Sequence, residues 1–191
     1  MSTPSVTATS PVDGGTIAGA WGRAVYTDLT SLAAFIADMS KLVEKGSDTS
    51  RSSTSTLADD PALTLAVSAN ASYIMNAFII FGAGGAASTN GFKFAWTGPS
   101  GATMNWVPHT KIDTDATNAA TSIWMAQRDI GTTISSGGAG ANTTKVIARP
   151  YGLLKTSSTA GSLTLQWAQA TSNGTATIVY AGSWIELRRV S

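Results

Sequence analysis

Polar and apolar positions alternate in two different ways along this chain, and the change of period divides it. Between residues 16 and 45 the apolar positions Val25, Leu29, Leu32, Ile36, Met39 and Val43 are spaced by four and three in turn. That spacing is a heptad seam, with Leu29, Ile36 and Val43 at one core position and Val25, Leu32 and Met39 at the other. The pattern predicts one helix over 16–45, about 45 Å long at 1.5 Å per residue. Gly46 follows it, a residue favoured just past a helix end. After Leu57 the period becomes two. Leu163, Leu165 and Trp167 alternate with Thr164, Gln166 and Ala168, which predicts a half-buried strand with the first set inward. Thr175–Tyr180 and Ser183–Val190 read as two more strands, and Asn173-Gly174 reads as the turn of a closing meander. Ser122–Gln127 is a further candidate strand.

Between these runs lie clusters rich in Gly, Asn, Ser and Pro, such as 82–91, 97–102 and 135–142. Many short strands joined by such turns predict a mainly β protein, a jelly-roll-like antiparallel β-sandwich over residues 57–191. Residues 1–15 read as an extended arm. Residues 46–56 are polar throughout and read as a flexible Ser/Thr-rich linker. The helix therefore has two readings. It lies on its own domain, or it anchors the chain by packing on copies of itself or on a host assembly. A polar tether favours the second reading.

Composition narrows the function. Charged residues are only 12% of the 191, and the net charge is +1. A surface of hydroxyls with few charges suits a chain packed in many copies. The balance leaves no electrostatic footprint for nucleic acid. No apolar run reaches the ~18–20 residues of a membrane span. The start MSTPSVTATSPVDGG lacks the basic and apolar regions of a secretory signal, which predicts synthesis in a cytoplasm. With no cysteine and one histidine, disulfides and zinc sites are excluded.

Motifs that resemble catalytic or cofactor sites fail on their context. Gly82, Gly84 and Ala87 match a dinucleotide fingerprint, but Ser, Thr, Asn and Gly follow where a helix is required. Asp113, Asp115 and Thr117 begin like a calcium loop, yet Asn118 and Trp124 stand where Gly and Glu are needed. Asp59-Asp60-Pro61 reads as a turn. His109 has no strained serine elbow to serve. No catalytic, cofactor or metal residue is assigned. Trp96, Trp167 and Trp184 alternate in phase with apolar neighbours and are expected in the core. Trp106 and Trp124 flank the 109–120 loop and are candidates for stacking on sugars.

Three segments, Ser52–Phe81, Phe92–Trp106 and Gly152–Val190, resemble small virion proteins of tailed bacteriophages and prophages of actinobacteria. The ending L-x-L-x-W-A-Q, T-S-N, A-G-S-W (Leu163–Trp184) is the most specific part, and Trp21–Leu32 is similar to the helical lead-in of those proteins. The resemblance implies a compact jelly roll, no catalytic residues, and a minor tail or head-surface role in the virion. The expected function is a non-enzymatic structural component, assembled in the host cytoplasm. It would be a homotrimer mounted on other virion proteins by its helix, as a head decoration or fibre-like part. The second reading is a minor tail protein that recognises a host-surface glycan through its β-domain loops.

Overall fold

The computed structural model describes residues 19–84, 90–111 and 125–191. The arm expected over 1–15, the calcium-like loop and Trp124 lie outside them.

Helix α1 spans Gly19–Met39. It stops short of the expected end because a second period is hidden in its last residues. From Ser40 onward Lys41, Val43 and Lys45 share one side, and Ser40, Leu42 and Glu44 share the other. Sheet pairing uses that alternation: β1 (Ser40–Glu44) pairs antiparallel with β13 (Trp184–Arg189). Val43 therefore leaves the helical seam and packs against the core.

The expected linker is also structured. Within it β2 (Thr49–Arg51) pairs with β12 (Thr177–Val179). The Asp48 carboxylate accepts the Ala181 N–H at 2.8 Å. Arg51 lays its guanidinium over the Trp167 ring at 4.1 Å and donates to the Ala58 and Asp59 carbonyls, each at 2.8 Å. Polarity here reflects an outlying strand held by hydrogen bonds, and does not reflect slack chain.

The remaining strands are β3 (Ala58–Val67), β4 (Ser72–Gly82), β5 (Phe92–Thr97), β6 (Thr103–Val107), β7 (Arg128–Asp129), β8 (Ile134–Ser136), β9 (Val146–Ala148), β10 (Tyr151–Lys155) and β11 (Gly161–Gln169). They form an antiparallel sandwich. The small sheet runs β3-β11-β5-β8, and the large sheet contains β1-β13-β4-β10-β6-β7, with β12, β2 and β9 added along β4. If β3, β4, β5, β6, β7, β8, β10 and β11 are counted from one to eight, the two sheets read 1-8-3-6 and 2-7-4-5. That interleaving is the jelly roll. The expected strand over Ser122–Gln127 is replaced, in its described part, by the short β7 that follows it.

The C-terminal strands do not form the expected meander. β11 belongs to the small sheet, whereas β12 and β13 both cross to the large one. The buried Gln169 side chain organises the crossing. Its carbonyl accepts the Asn173 N–H at 3.0 Å, and its amide donates to Thr175 O at 2.8 Å and to Asn90 Oδ1 at 3.1 Å.

The core lies between the sheets. Phe81, Phe92, Phe94, Trp96, Trp106 and Trp167 form a chain of rings, with successive centroids between 4.4 and 6.4 Å. Leu163, Leu165 and Trp167 are fully buried, as their alternation predicts. Gly152 sits opposite Trp106 in the β10–β6 ladder, where a Cβ would come within 2.7 Å of the Trp106 Cβ.

Candidate functional site

Along α1 the seam faces solvent. Leu29 is 60% exposed, Leu32 44%, Ile36 59% and Met39 39%; Val25 is half-buried, and Tyr26 beside the seam is 73% exposed. Among the described residues nothing covers Leu29, Leu32, Ile36 and Met39, which share one helical face with the half-buried Val25. The sixth predicted anchoring residue, Val43, is corrected to a strand residue for the reason given above.

The helix is fastened at its C-terminal end. Asp38, in its last turn, accepts Ser68 Oγ at 3.0 Å and Tyr73 Oη at 3.1 and 3.2 Å, and it pairs with Lys41 and Arg189. These partners come from β1, the β3–β4 turn, β4 and β13. Burial pushes the Asp38 carboxyl upward, but hydrogen bonds from Lys41, Ser68 and Arg189, with the Lys41 charge, outweigh it. The group is held below the usual carboxylate range. A negative group at a helix C-terminus opposes the dipole, so this cluster of donors is what keeps it there. Sequence reasoning missed Asp38. Its signal was a lone acid closing an apolar seam, one turn before Lys41.

Asp59-Asp60-Pro61 is not a turn between strands. It bulges out of β3, where the register against β11 shifts between Thr164 and Gln166. Proline, which has no N–H for a ladder, is tolerated there. The bulge turns Asp60 inward. Its carboxylate receives Lys45 Nζ at 2.9 and 3.0 Å, Trp167 Nε1 at 2.9 Å and the Ala62 N–H at 3.0 Å. Lys45 is 2% exposed and Asp60 is fully buried. The pair bolts the end of β1 in the large sheet to β3 in the small one. It is closed to solvent and serves structure.

Trp106 does not face a ligand. It is 1% exposed and donates Nε1–H to Asp129 O at 3.0 Å. It shares its phase with buried Met104. Trp184 is also corrected, in the opposite sense. Ile185 and Leu187 take the inward positions of β13, so Trp184 is half-buried on the outer face, stacked on Phe78 with centroids 6.1 Å apart and planes at 10°.

That outer face of the large sheet carries large apolar side chains among polar ones such as Asn76, Glu186 and Arg188. Beside Phe78 and Trp184 it carries Ile74 and Ile80 on β4, Leu153 and Tyr151 on β10, Val107 on β6 and Leu42 on β1. Tyr151 is 45% and Leu42 67% exposed. The signal was the run YIMNAFIIF of β4, apolar on both faces except at Asn76, since a strand that is largely apolar on both faces is usually covered on both. His109, with φ +42°, sits at the rim of this face beside Arg149. No group of three His, Cys, Asp or Glu side chains arranged for a metal exists among the described residues.

No family model matches the sequence, and no curated protein matches it. Among solved structures the chain is similar to one from infectious bursal disease virus Gx strain, at 7% identity, a TM-score of 0.21, and 78% of this chain against 39% of that one. It is also similar to a chain of the infectious bursal disease virus VP2 subviral particle, at 10% identity, a TM-score of 0.22, and 79% of this chain against 41% of that one. The chain spans about two fifths of the length of those viral chains. At such scores the likeness carries no argument, and the jelly-roll order stands on the strand pairings alone.

Proposed function

We propose that this protein is a non-enzymatic structural component of a bacteriophage virion, a homotrimeric surface part mounted by α1 with its sandwich outward. The observation that carries the reading is the uncovered seam: Leu29, Leu32, Ile36 and Met39 stand in solvent beside a sandwich that fills its own core. A helix whose apolar face is left uncovered among the described residues is suited to a partner. Three such seams meeting around an axis bury one another without any change in the sandwich. The low charge allows identical surfaces to approach. The resemblance of the Leu163–Trp184 segment to phage virion proteins supplies the setting.

The test is the mass of the full chain in solution. Light scattering is expected to give three times the 19.5 kDa chain mass, and Leu29→Ser with Ile36→Ser is expected to return it to one chain. A monomer at micromolar concentration for the unaltered protein overturns the trimer. Imaging particles that carry a tagged copy separates head decoration from a tail component. The receptor-binding reading no longer rests on Trp106; a different surface supports it.

A further inference from the structure

The outer face of the large sheet contains a depression whose polar groups are used by nothing within the described chain. Its volume is about 310 Å³, and Asn76, His109, Arg149, Tyr151, Trp184 and Glu186 are among its walls. Two aromatic rings border it. Trp184 stacks against the Phe78 ring of the neighbouring strand, and Tyr151 is 45% exposed. Four polar side chains converge beside them: an amide, a carboxylate, a guanidinium and an imidazole. Among the described residues none of these four makes a side-chain hydrogen bond or ion pair, and Glu186 and Arg149 do not pair with each other. The His109 backbone is held at φ +42°, a conformation that strains a non-glycine residue. Its carbonyl accepts the Arg149 N–H at 3.1 Å, so the strained residue and the arginine are positioned together.

The mixture of groups selects the ligand. An anion would meet Glu186, and a cation would meet Arg149. An apolar chain would leave both charges without partners, which is costly once they are covered. A neutral polyhydroxylated ring satisfies all of them. Its C–H face lies on Trp184 or Tyr151. Its hydroxyls donate to Glu186 and accept from Arg149 and Asn76. The volume lies at the lower end of small-molecule sites and suits one or two sugar rings. We infer that this depression binds a neutral saccharide, the terminal one or two units of a glycan. The site is independent of the helix seam, so its failure and the failure of the trimer are read by different measurements.

The experiment is calorimetric titration of the full chain with maltose, cellobiose, lactose and N,N′-diacetylchitobiose. At least one sugar is expected to bind saturably in the millimolar range. Trp184→Ala and Glu186→Gln are each expected to weaken that sugar about tenfold or more, which is at least 1.4 kcal/mol. Gln166→Ala on the opposite face and the Leu29→Ser, Ile36→Ser chain are expected to bind as the unaltered protein does. Glu186→Gln keeps the shape of the site and remains informative if Trp184→Ala does not fold. Absence of saturable binding for all four sugars overturns the proposal, as does binding that survives both variants. A change of solution mass in Glu186→Gln also overturns it, in favour of a second copy of the chain on this face.

Discussion

On the outside of the small sheet, β3, β11 and β5 turn Thr64, Ser162, Thr164, Gln166, Lys93 and Thr97 outward, and no apolar side chain larger than alanine accompanies them. On the outside of the large sheet the equivalent positions of β4, β13 and β10 carry Ile74, Phe78, Ile80, Trp184, Tyr151 and Leu153 interspersed with Asn76, Glu186, Arg188 and Lys155. Both faces belong to one sandwich with one core, so the core does not explain the difference. An antiparallel sheet that meets water on one side normally alternates apolar and polar residues. The small sheet follows that rule in residue type, with a 2.7 Å hydrogen bond between the Thr64 and Thr164 hydroxyls on that side. The large sheet departs from it, and so does the helix that leads into its edge strand β1. Exposed apolar side chains are therefore found on the helix and on the outside of the large sheet, and not on the outside of the small one.

The comparison depends on the two sheets being one unit, and the largest predicted effect tests that dependence. Asp60→Ala leaves Lys45 charged, buried and unpaired between the sheets. Breaking such a pair costs about 3–5 kcal/mol. Denaturant unfolding is expected to show the full loss in one transition. Replacing the pair together, Lys45→Met with Asp60→Leu, is expected to recover most of it, because the desolvation of both charges disappears with them. Two separate transitions in Asp60→Ala would mean that the sheets are not one unit.

An intermediate effect addresses the two faces directly. Phe78→Ala removes the ring stacked on Trp184 from a half-buried position and is expected to cost about 1–2 kcal/mol, less than a truncation in a sealed core. Thr164→Val on the other face removes one hydroxyl of a pair and is expected to cost about 1 kcal/mol. The sharper contrast is functional: Phe78→Ala is expected to weaken sugar binding, and Thr164→Val is expected to leave it unchanged. Equal weakening by both, measured by the same titration, would erase the distinction between the faces.

How far the sequence reveals these features depends on the range of the interactions. The inner face of β11 is legible because alternation is local, and the jelly-roll class follows from many such runs with glycine-rich turns. The α1–β1 boundary is not legible, because Met39 to Val43 fits spacing four while Lys41, Val43 and Lys45 fit spacing two. Only the partner β13, far along the chain, decides between them. The alternation of β13 can be read in two phases: one puts Trp184 in the core, but the aliphatic Ile185 and Leu187 hold the inward one. Trp106 shows the converse, since its alternation with Met104 already indicated burial and its position beside a loop pointed outward. The bulge at Asp60 depends on Lys45 and Trp167, which no local pattern connects to it.

The helix is tied to the sandwich through Asp38, and the pH dependence of that tie is expected only in acid. The folded carboxyl is held below its ordinary value of about 3.9. Its contribution is therefore complete above that value and is lost as pH falls through the lower, folded one. Hydrogen exchange in the last turn of α1 is expected to be flat from neutral pH to about pH 5, and then to rise in acid beyond its intrinsic trend. Asp38→Asn is expected to remove this step and to show faster exchange at neutral pH. A step of equal size in Asp38→Asn would assign it to another group.

The smallest expected change in folding free energy belongs to the most exposed apolar residues. Leu29→Ser with Ile36→Ser removes two side chains that touch little of their own chain. Substitutions at such positions usually stay within about 0.5 kcal/mol. Dilute samples of variant and unaltered protein are therefore expected to melt at nearly the same temperature. At higher concentration they are expected to diverge. Association stabilises the unaltered chain by mass action, so its melting temperature rises with concentration. The variant, which cannot associate through α1, is expected to show no such rise. A seam that merely covered its own sandwich would give the reverse result, a large loss at every concentration. The concentration dependence thus separates a helix made for its own domain from one made for a partner.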